Sequence, residues 1–399
     1  NGSVLGWVTD FGAATSHSAI LARSLGLPAV VGTHHATRLL RSGDQLVVDG
    51  EQGTVLVNPG PELLAEYREM QARRERRRQL LEEERHLPAL TIDGTAIRLF
   101  ANIELPEDIE WVQRSNAEGI GLFRSEFLFM NRADSPSEEE QYAAFAQVLR
   151  ALPGAEVTIR SVDVGADKLL ADSDLQLYPS GLNPALGLRG LRLCLRRPEW
   201  FRRHLRAILR ASALAPIRLM LPMVSTVYEV QQTRQLIEQL RSELRAEGQK
   251  VAEHLPVGIM VEVPAVAMAA HAFAGVADFF SIGTNDLTQY ALAVDRSDDD
   301  VNALFDPLHV GVLSMIQHTI AAGDAAGIPV AMCGEMASNP QWTALLVGLG
   351  LRHFSMFPGA IPEVKAAIRA TSVEDAKVMA LAALAGSSEL FAHVDDIET

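Results

Sequence analysis

The sequence contains little cysteine, less basic than acidic charge and no long apolar run. Its two cysteines, Cys194 and Cys333, cannot build the disulfide framework of a secreted domain, so we expect two thiols in a reducing compartment. The formal net charge of −15 argues against non-specific binding to nucleic acid, because a phosphate backbone requires a positive field. Any anionic substrate must therefore be held by a local group of arginines.

Signals for a membrane or for export are also missing. A run of about eighteen apolar residues does not occur, and the opening NGSVLGWVTD lacks the basic start and apolar middle of a signal peptide. We therefore expect a cytoplasmic protein. Because the first residue is Asn1 and VLGWVTD reads as a strand entered partway, we also expect the sequence to be part of a longer protein.

Three regions of the 399 residues differ in composition. In residues 1–60, the runs QLVVDG and GTVLVNP predict two strands joined by a turn, within a small α/β unit. Residues 61–88 are rich in helix formers and lack glycine and internal proline, which predicts a long charged linker helix. Glutamates interleave with its arginine cluster, so we interpret this cluster as a solvated helix face. Residues 89–399 are expected to form a third region.

The third region alternates short apolar runs with amphipathic helical stretches. Eight such runs over about 300 residues are typical of a (β/α)8 barrel, whose parallel strands are buried on both faces. The predicted fold class is therefore α/β, with a TIM-type barrel as the main domain. The predicted strands are AIRLFANI, GIGLFR, VTIRSVDVG, IRLMLPMV, VGIMVEVPA, FFSIGTND, VAMCGE and HFSMFP.

Polar residues of reactive types cluster at the ends of these predicted strands. Barrel enzymes place their active sites at the carboxyl ends of the strands, so this clustering predicts a site there. The residues concerned are Arg124 on the second strand, Arg160 and Asp163 on the third, Glu262 on the fifth, Asn285 and Asp286 on the sixth, and Cys333 and Glu335 on the seventh.

These residue types suit a small, doubly anionic substrate. Arginines bind phosphate and carboxylate oxygens, and Glu262 with Asp286 could hold Mg²⁺ together with phosphate oxygens. Each residue also has a plainer interpretation: a surface ion pair for an arginine, a structural acid for a carboxylate, and an inert buried thiol for Cys333. The arginines with this expected role are Arg124, Arg160, Arg189 and Arg296.

His17 lies in the stretch TSHSAILARSLGLPAVVG, which predicts a capped helix followed by a buried strand at residues 29–31. The histidine falls in the first turn of this helix, where free N–H groups and the helix dipole favour an anion. Taken alone, it is more commonly a residue that starts a helix. Beside a phosphate-binding barrel, it becomes a candidate phosphoryl acceptor.

Several motifs together resemble enzyme I of the bacterial phosphotransferase system. They are TSHSAILARSLGLPAVVG, GIGLFRSEFLFM, VTIRSVDVGADK, NPALGLRG, LRAILRASA, IMVEVPA, DFFSIGTNDLTQYALAVDR and MCGEMA, and they extend over nearly the whole chain. Pyruvate phosphate dikinase and phosphoenolpyruvate synthase share single motifs of this set. The order of the motifs, with RSEFLFM and LTQYALAVDR, favours the enzyme I family.

The resemblance implies a phosphohistidine domain at residues 1–60, a linker at 61–88 and a phosphoenolpyruvate-binding, dimerising barrel at 89–399. His17 would take the phosphoryl group of phosphoenolpyruvate, and Cys333 would protonate the departing enolate to pyruvate. The phosphate would then pass to the carrier protein HPr. The implied site comprises Glu262 and Asp286 as Mg²⁺ ligands and Arg124, Arg160, Arg189, Asn285, Arg296 and Lys168 around the substrate. In support, Asp163 would stabilise the phosphate-binding loop together with Lys168, and Glu335 would orient groups near Cys333.

Departures from the family pattern leave alternatives open. Small residues replace one another at Ala13, Ala14, Ser125 and Ala166, where we expect modest effects. The HPr-binding helical domain is expected to lie outside this sequence. A dikinase-like or synthase-like enzyme would be labelled from ATP, and a non-catalytic phosphoenolpyruvate sensor would not need Cys333. The sequence does not decide between the sugar-linked, nitrogen-linked and fructose versions of enzyme I.

Overall fold

The computed structural model describes residues 4–11, 22, 27–130, 132, 134–164, 183–296, 298 and 300–386. The chain divides into two compact units, Asn1–Glu84 and Arg85–Thr399, which are considered separately. The predictions for His17, its helix and Lys168 lie outside the described residues. Among the residues that are described, no helix combines the length and apolar character needed to cross a membrane.

The first unit contains short strands and one long helix. Strands β1 and β2 pair in parallel, whereas β3 and β4 form the hairpin predicted from QLVVDG and GTVLVNP. Asp49 shapes the hairpin turn, because its Oδ1 accepts hydrogen bonds from the N–H groups of Glu51 (3.0 Å) and Gln52 (3.1 Å). The elements are β1 (Trp7–Val8), β2 (Ala29–Val30), α1 (Ala36–Leu39), β3 (Leu46–Asp49), β4 (Thr54–Val57) and α2 (Pro61–Glu84).

Helix α2 confirms the long charged helix predicted for residues 61–88, although it ends at Glu84. Proline at its first position suits a helix start, where the missing N–H group has no intrahelical acceptor. Leu81 is buried, and most other side chains of the helix are exposed. Arg74 pairs with Glu51 at 2.5 Å and Arg78 with Glu75 at 3.3 Å, both at exposed positions that contribute little stability.

The second unit is a closed barrel of eight parallel strands. Each of the eight predicted runs contains one strand, so the predicted fold class is confirmed. The barrel closes where β12 pairs with β5. The strands are β5 (Arg98–Ile103), β6 (Gly119–Arg124), β7 (Glu156–Arg160), β8 (Ile217–Leu221), β9 (Val257–Val261), β10 (Phe280–Ile282), β11 (Val330–Met332) and β12 (His353–Met356).

Helices follow these strands and cover the barrel. Ser137 and Thr226 begin two of them with capping boxes, in which a glutamate three residues later returns the hydrogen bond. The helices are α3 (Ile109–Ser115), α4 (Glu138–Ala151), α5 (Leu191–Arg196), α6 (Pro198–Ala211), α7 (Val227–Ala246), α8 (Pro264–Met268), α9 (Ala270–Phe273), α10 (Thr284–Leu292), α11 (Val310–Ala326), α12 (Thr343–Gly348), α13 (Ile361–Arg369) and α14 (Val373–Leu384).

Side chains of β6, β8 and β9 divide between two cores. The larger core joins the outer faces of the strands to the helices, with Leu99, Ala101 and Ile103 as the contribution of β5. A small cluster inside the barrel contains Leu122, Met220, Met260, Phe279 and Cys333. The barrel is therefore packed below its carboxyl end, and Cys333 is the most reactive side chain of this inner cluster.

The amino-terminal end of the barrel, which we call the floor, is a balanced set of charges defined by Arg98, Glu118, Glu156, Arg218 and His353. Arg98 pairs with Glu118 at 2.8 Å, and Arg218 pairs with Glu156 at 2.6 Å. Both guanidinium groups also lie over phenylalanine rings, at 4.6 Å and 5.4 Å from the ring centroids. Each cation therefore has a carboxylate and an aromatic partner.

Candidate active site

The carboxyl end of the barrel, which we call the mouth, collects the residues predicted from the strand ends. Arg124 and Arg160 are the last residues of β6 and β7, and Glu262 and Cys333 directly follow β9 and β11. These side chains take their positions from rigid strands, because a strand end limits where the next side chain can point.

Three predicted placements on strands were wrong. Glu335 begins a short 3-10 helix, because β11 already ends at Met332. Asp163 lies beyond β7, which ends at Arg160, because the Asp163 N–H donates to Glu126 Oε1 (2.7 Å) instead of to a neighbouring strand. Asn285 and Asp286 lie in the first turn of α10, since β10 ends at Ile282 and the helix begins two residues later. Asp163 and Asp286 still reach the mouth.

Three carboxylates converge there. Asp163, Glu262 and Asp286 each offer an oxygen, and these oxygens lie within 4.8 Å of one another. Glu262 is 1% exposed, and its Oε1 accepts a hydrogen bond from the Met223 N–H at 2.6 Å. Burial, followed by the negative charges of Asp163 and Asp286, raises the pKa of Glu262 to about 8. A bound cation would favour the ionised form of Glu262 at neutral pH, so the cluster fits a divalent metal.

Asp163 contributes more than the sequence suggested. It was expected to support the phosphate-binding loop, whereas its carboxylate is the third member of the metal-competent cluster. Burial alone would raise the pKa of Asp163, but Arg160 and Arg189 lower it on balance. The cluster therefore combines one firmly ionised carboxylate with one whose charge depends on its surroundings.

Two arginines are built into this cluster. Arg160 lies between Glu126 (2.9 Å) and Asp163 (3.0 Å) and is 11% exposed. Arg189 donates to both oxygens of Asp163 (3.1 and 2.9 Å) and to Asp286 Oδ2 (3.0 Å). Such paired guanidinium groups stay charged, and they hold the carboxylates in fixed positions.

The other two predicted arginines are more open. Arg124 contacts Glu104 and its side chain is 39% exposed, and Arg296 lies 3.9 Å from Asp286 Oδ1 with its side chain 36% exposed. An incoming anion could therefore reach both groups without first entering the buried network. All four predicted arginines belong to the same end of the barrel.

Cys333 is buried directly below this polar layer. Its side chain packs in the inner cluster, its Sγ lies 3.8 Å from the Ile282 carbonyl, and its N–H donates to the same carbonyl at 3.0 Å. Burial raises the pKa of the thiol, and the Ser281 hydroxyl and Arg160 oppose only part of this shift. The thiol is therefore held in its protonated form.

The remaining predicted residues have more modest positions. The Asn285 Oδ1 accepts a hydrogen bond from the Glu335 N–H at 2.9 Å and so fixes the loop that follows Cys333. Glu335 itself is exposed. The role predicted for its carboxylate near Cys333 stays a prediction.

Sequence reasoning missed several residues that hold the site together. Glu126 Oε1 accepts from both Arg160 and the Asp163 N–H, and the Tyr290 hydroxyl accepts from Arg189 at 3.2 Å. Both lie inside motifs, RSEFLFM and LTQYALAVDR, in which no role was given to them. Met223 has a φ of +55°, an uncommon conformation for a non-glycine residue, and its N–H anchors Glu262.

Comparison with known proteins gives the family. A model of the PEP-utilising enzyme, PEP-binding domain, matches residues 78–373, and a model of the PEP-utilising enzyme, mobile domain, matches residues 2–53, where PEP is phosphoenolpyruvate. The chain therefore belongs to the family of PEP-utilising enzymes.

Similar curated proteins are named phosphoenolpyruvate-protein phosphotransferase. The protein of Cupriavidus necator is 48% identical over 361 residues, covering 90% of this chain and 61% of its own length. That of Haemophilus influenzae is 44% identical over 381 residues (96% and 66%), and that of Staphylococcus carnosus is 45% identical over 374 residues (94% and 65%). These relatives confirm the resemblance predicted from the motifs. The chain spans a little less than two thirds of their length.

Proposed function

We propose that the barrel mouth binds phosphoenolpyruvate and that its phosphoryl group passes to His17, releasing pyruvate, as the first step of a phosphotransferase system. One observation carries this proposal: three converging carboxylates, four arginines and a protonated thiol share one end of the barrel. The names of the relatives favour this function over a dikinase, a synthase or a sensor.

The arginines would neutralise the substrate. Phosphoenolpyruvate carries a carboxylate and a phosphate, and the partly exposed Arg124 and Arg296 can donate hydrogen bonds to these groups. Arg160 and Arg189 meanwhile keep the carboxylates of the cluster in place. Asn285 and Lys168 complete the expected substrate contacts.

Glu262 and Asp286, with Asp163 beside them, are the groups that would hold Mg²⁺. When bound, the ion would withdraw charge from the phosphoryl oxygens and the enol oxygen. The pKa of Glu262, which burial and the two neighbouring carboxylates raise, supports this assignment, because a bound cation would offset both effects.

The proposed covalent step needs only His17, phosphoenolpyruvate, Cys333 and water. A ring nitrogen of His17 attacks the phosphorus, and the bond from phosphorus to the enol oxygen breaks, so the electron pair leaves on the enolate. Cys333 then donates its thiol proton to the terminal carbon of the enolate, which gives pyruvate, and the thiolate is reprotonated from water. A thiol that stays protonated until the enolate forms suits this task.

Further parts of the proposal rest on the resemblance alone. We infer that the phosphohistidine is passed to HPr, that two chains associate through their barrels, and that the protein works in the cytoplasm. The domain boundaries at residues 60 and 88 are proposed on the same ground. Light scattering of the purified chain would test the dimer.

The proposal is tested by measuring pyruvate formation from phosphoenolpyruvate with and without Mg²⁺. We expect turnover that requires the ion, and a rise in melting temperature with Mg²⁺ that is lost in Glu262→Gln. Glu118→Gln on the floor is the matched control and should keep both properties. Label from ATP on the chain, or binding of phosphoenolpyruvate without turnover, would contradict the proposal.

A further inference from the structure

A partly buried amide contacts the main chain that carries the thiol. Asn102 lies one residue before the end of β5, and its Nδ2 donates to the Cys333 carbonyl at 3.0 Å and to the Ser355 carbonyl at 3.3 Å. Around the barrel, β5 is separated from β11 by β12. Asn102 therefore reaches across one strand to the residue that follows β11.

The oxygen end of this amide contacts a buried residue. The Ser355 hydroxyl donates to Asn102 Oδ1 at 2.5 Å, and Ser355 is fully buried. The Cys333 and Ser355 carbonyls can only accept hydrogen bonds, so they select the Nδ2 group of the amide. Ser355 thus holds the far end of the amide whose Nδ2 group meets Cys333.

The strand beside Asn102 is irregular at this position. Ala101 pairs with Ile120, but Asn102 pairs with Leu122, so Gly121 is an extra residue opposite β5. A β-carbon on Gly121 would lie 2.3 Å from Ser355 Oγ. The bulge and the glycine therefore leave room for Ser355, and such bulges commonly redirect a side chain near an active site.

Cys333 needs such a contact. β11 pairs with β12 through Ala331 and Met332, and Cys333 lies one residue beyond this pairing. On the other side, its N–H is held by the Ile282 carbonyl of β10. The Asn102 amide supplies the hydrogen bond that holds the Cys333 carbonyl from the opposite direction.

We propose that Asn102, held at its oxygen end by Ser355, is a positioning residue that fixes the main chain of Cys333 and thereby aims the thiol at the mouth. Its effect on catalysis rests on the proposed function, because only there does the thiol protonate carbon. Its effect on the thiol itself does not depend on that function.

The first test measures the thiol directly. In a Cys194→Ala background, Cys333 is the single cysteine, so its rate of alkylation by iodoacetamide can be followed by mass spectrometry. Asn102→Ala should raise this rate roughly tenfold, because the loss of a hydrogen bond to the segment increases the population of locally opened states. Ser355→Ala should raise it less, since the amide remains but can turn.

The second test separates positioning from substrate binding. Asn102→Ala should lower kcat for pyruvate formation roughly 10- to 100-fold with KM for phosphoenolpyruvate nearly unchanged, because a small displacement of the reacting group is costly. Ser355→Ala should have almost no further effect in the Asn102→Ala background. Ser212→Ala is the control. It also removes a buried hydroxyl that bonds to main chain, namely to the Leu209 carbonyl and the Ala252 N–H, but far from the mouth. It should change neither kcat nor the alkylation rate.

The alkylation rate and kcat together decide the role of Asn102. Alkylation and kcat both within twofold of the parent would overturn the proposal, and so would a changed KM with an unchanged alkylation rate. If Asn102→Ala does not fold, Ser355→Ala decides by the same two measurements. If the parent itself lacks turnover, the proposed function fails, and the alkylation rates alone still decide the role of Asn102.

Discussion

The mouth and the floor of the barrel are built from the same residue types but differ in charge balance. On the floor, Arg98 and Arg218 each meet one glutamate and one aromatic ring. In the mouth, Asp163, Glu262 and Asp286 converge within 4.8 Å, and the pKa of Glu262 is raised to about 8. Paired charges serve structure, whereas a cluster short of positive charge is prepared for a cation and an anionic substrate.

The same contrast holds for the two cysteines. Cys194 is fully buried in the larger core between barrel and helices, and burial raises its pKa above the usual range. Cys333 is 4% exposed at the top of the inner cluster, next to the arginines of the mouth. Position at the mouth therefore distinguishes the two thiols, since burial raises the pKa of both.

The largest effect is expected from Glu262→Gln. Removing this carboxylate takes away a proposed metal ligand, so pyruvate formation should fall at least roughly 10³-fold. A coupled assay for pyruvate measures this change. On the floor, Glu118→Gln should stay within about twofold of the parent, as expected for an exposed ion pair. Equal losses at both ends would remove the distinction between mouth and floor.

A smaller loss of activity is expected from Cys333→Ala. Without the proposed carbon acid, pyruvate formation should fall roughly 10²-fold, at the lower end of the contribution of general acids, because water can replace the thiol in part. Cys194→Ala is the matched control and should leave kcat unchanged while lowering the melting temperature slightly. Activity lost in Cys194→Ala and kept in Cys333→Ala would reverse the assignment.

Changes on the floor should alter the stability of the protein in acid rather than its activity. Burial, with Arg98 and Arg218, lowers the pKa of His353 from 6.5 to about 4. Between these values the unfolded chain binds a proton that the native chain does not, so the free energy of unfolding falls as the pH drops from about 6.5 to about 4. Near pH 5 this proton binding lowers the free energy of unfolding by about 2 kcal/mol.

His353→Gln should therefore lose about 2 kcal/mol less stability than the parent between pH 7.5 and pH 5, as urea unfolding would show. Its turnover at neutral pH should match that of the parent. An identical acid loss in both proteins would mean that His353 is already exposed to solvent in the native state.

The smallest effect is expected from Glu156→Gln. The Arg218–Glu156 pair is partly exposed, at 24% for each side chain, and Arg218 keeps its contact with Phe279. The free energy of unfolding should fall by about 1 kcal/mol or less, with kcat unchanged. A large loss of activity would show that the floor is coupled to the chemistry.

Much of the barrel could be predicted because its strands are buried on both faces and read as continuous apolar runs. The polar residues at the ends of these runs also include Arg124 and Arg160 at strand ends, and Glu262 and Cys333 one residue beyond them. Asp163, Asp286 and Glu335 lie farther beyond the strands predicted for them, because tertiary partners and helix starts decide where pairing ends.

Other contacts lie beyond sequence reasoning. Asn102 reaches Cys333, 231 positions away in the chain, across an intervening strand. Glu126 joins Arg160 and Asp163 from a different strand end. Such pairs follow no regular spacing in the sequence, because they form only when the barrel closes and brings distant strand ends together.

The central claim is that the mouth delivers the phosphoryl group of phosphoenolpyruvate to His17, and labelling tests it most directly. The chain is incubated with Mg²⁺ and phosphoenolpyruvate labelled at phosphorus, then digested and mapped. We predict an acid-labile phosphate on the peptide that contains His17, with an equal amount of pyruvate. An unlabelled His17 peptide, or full labelling of a His17→Ala variant, would contradict the account.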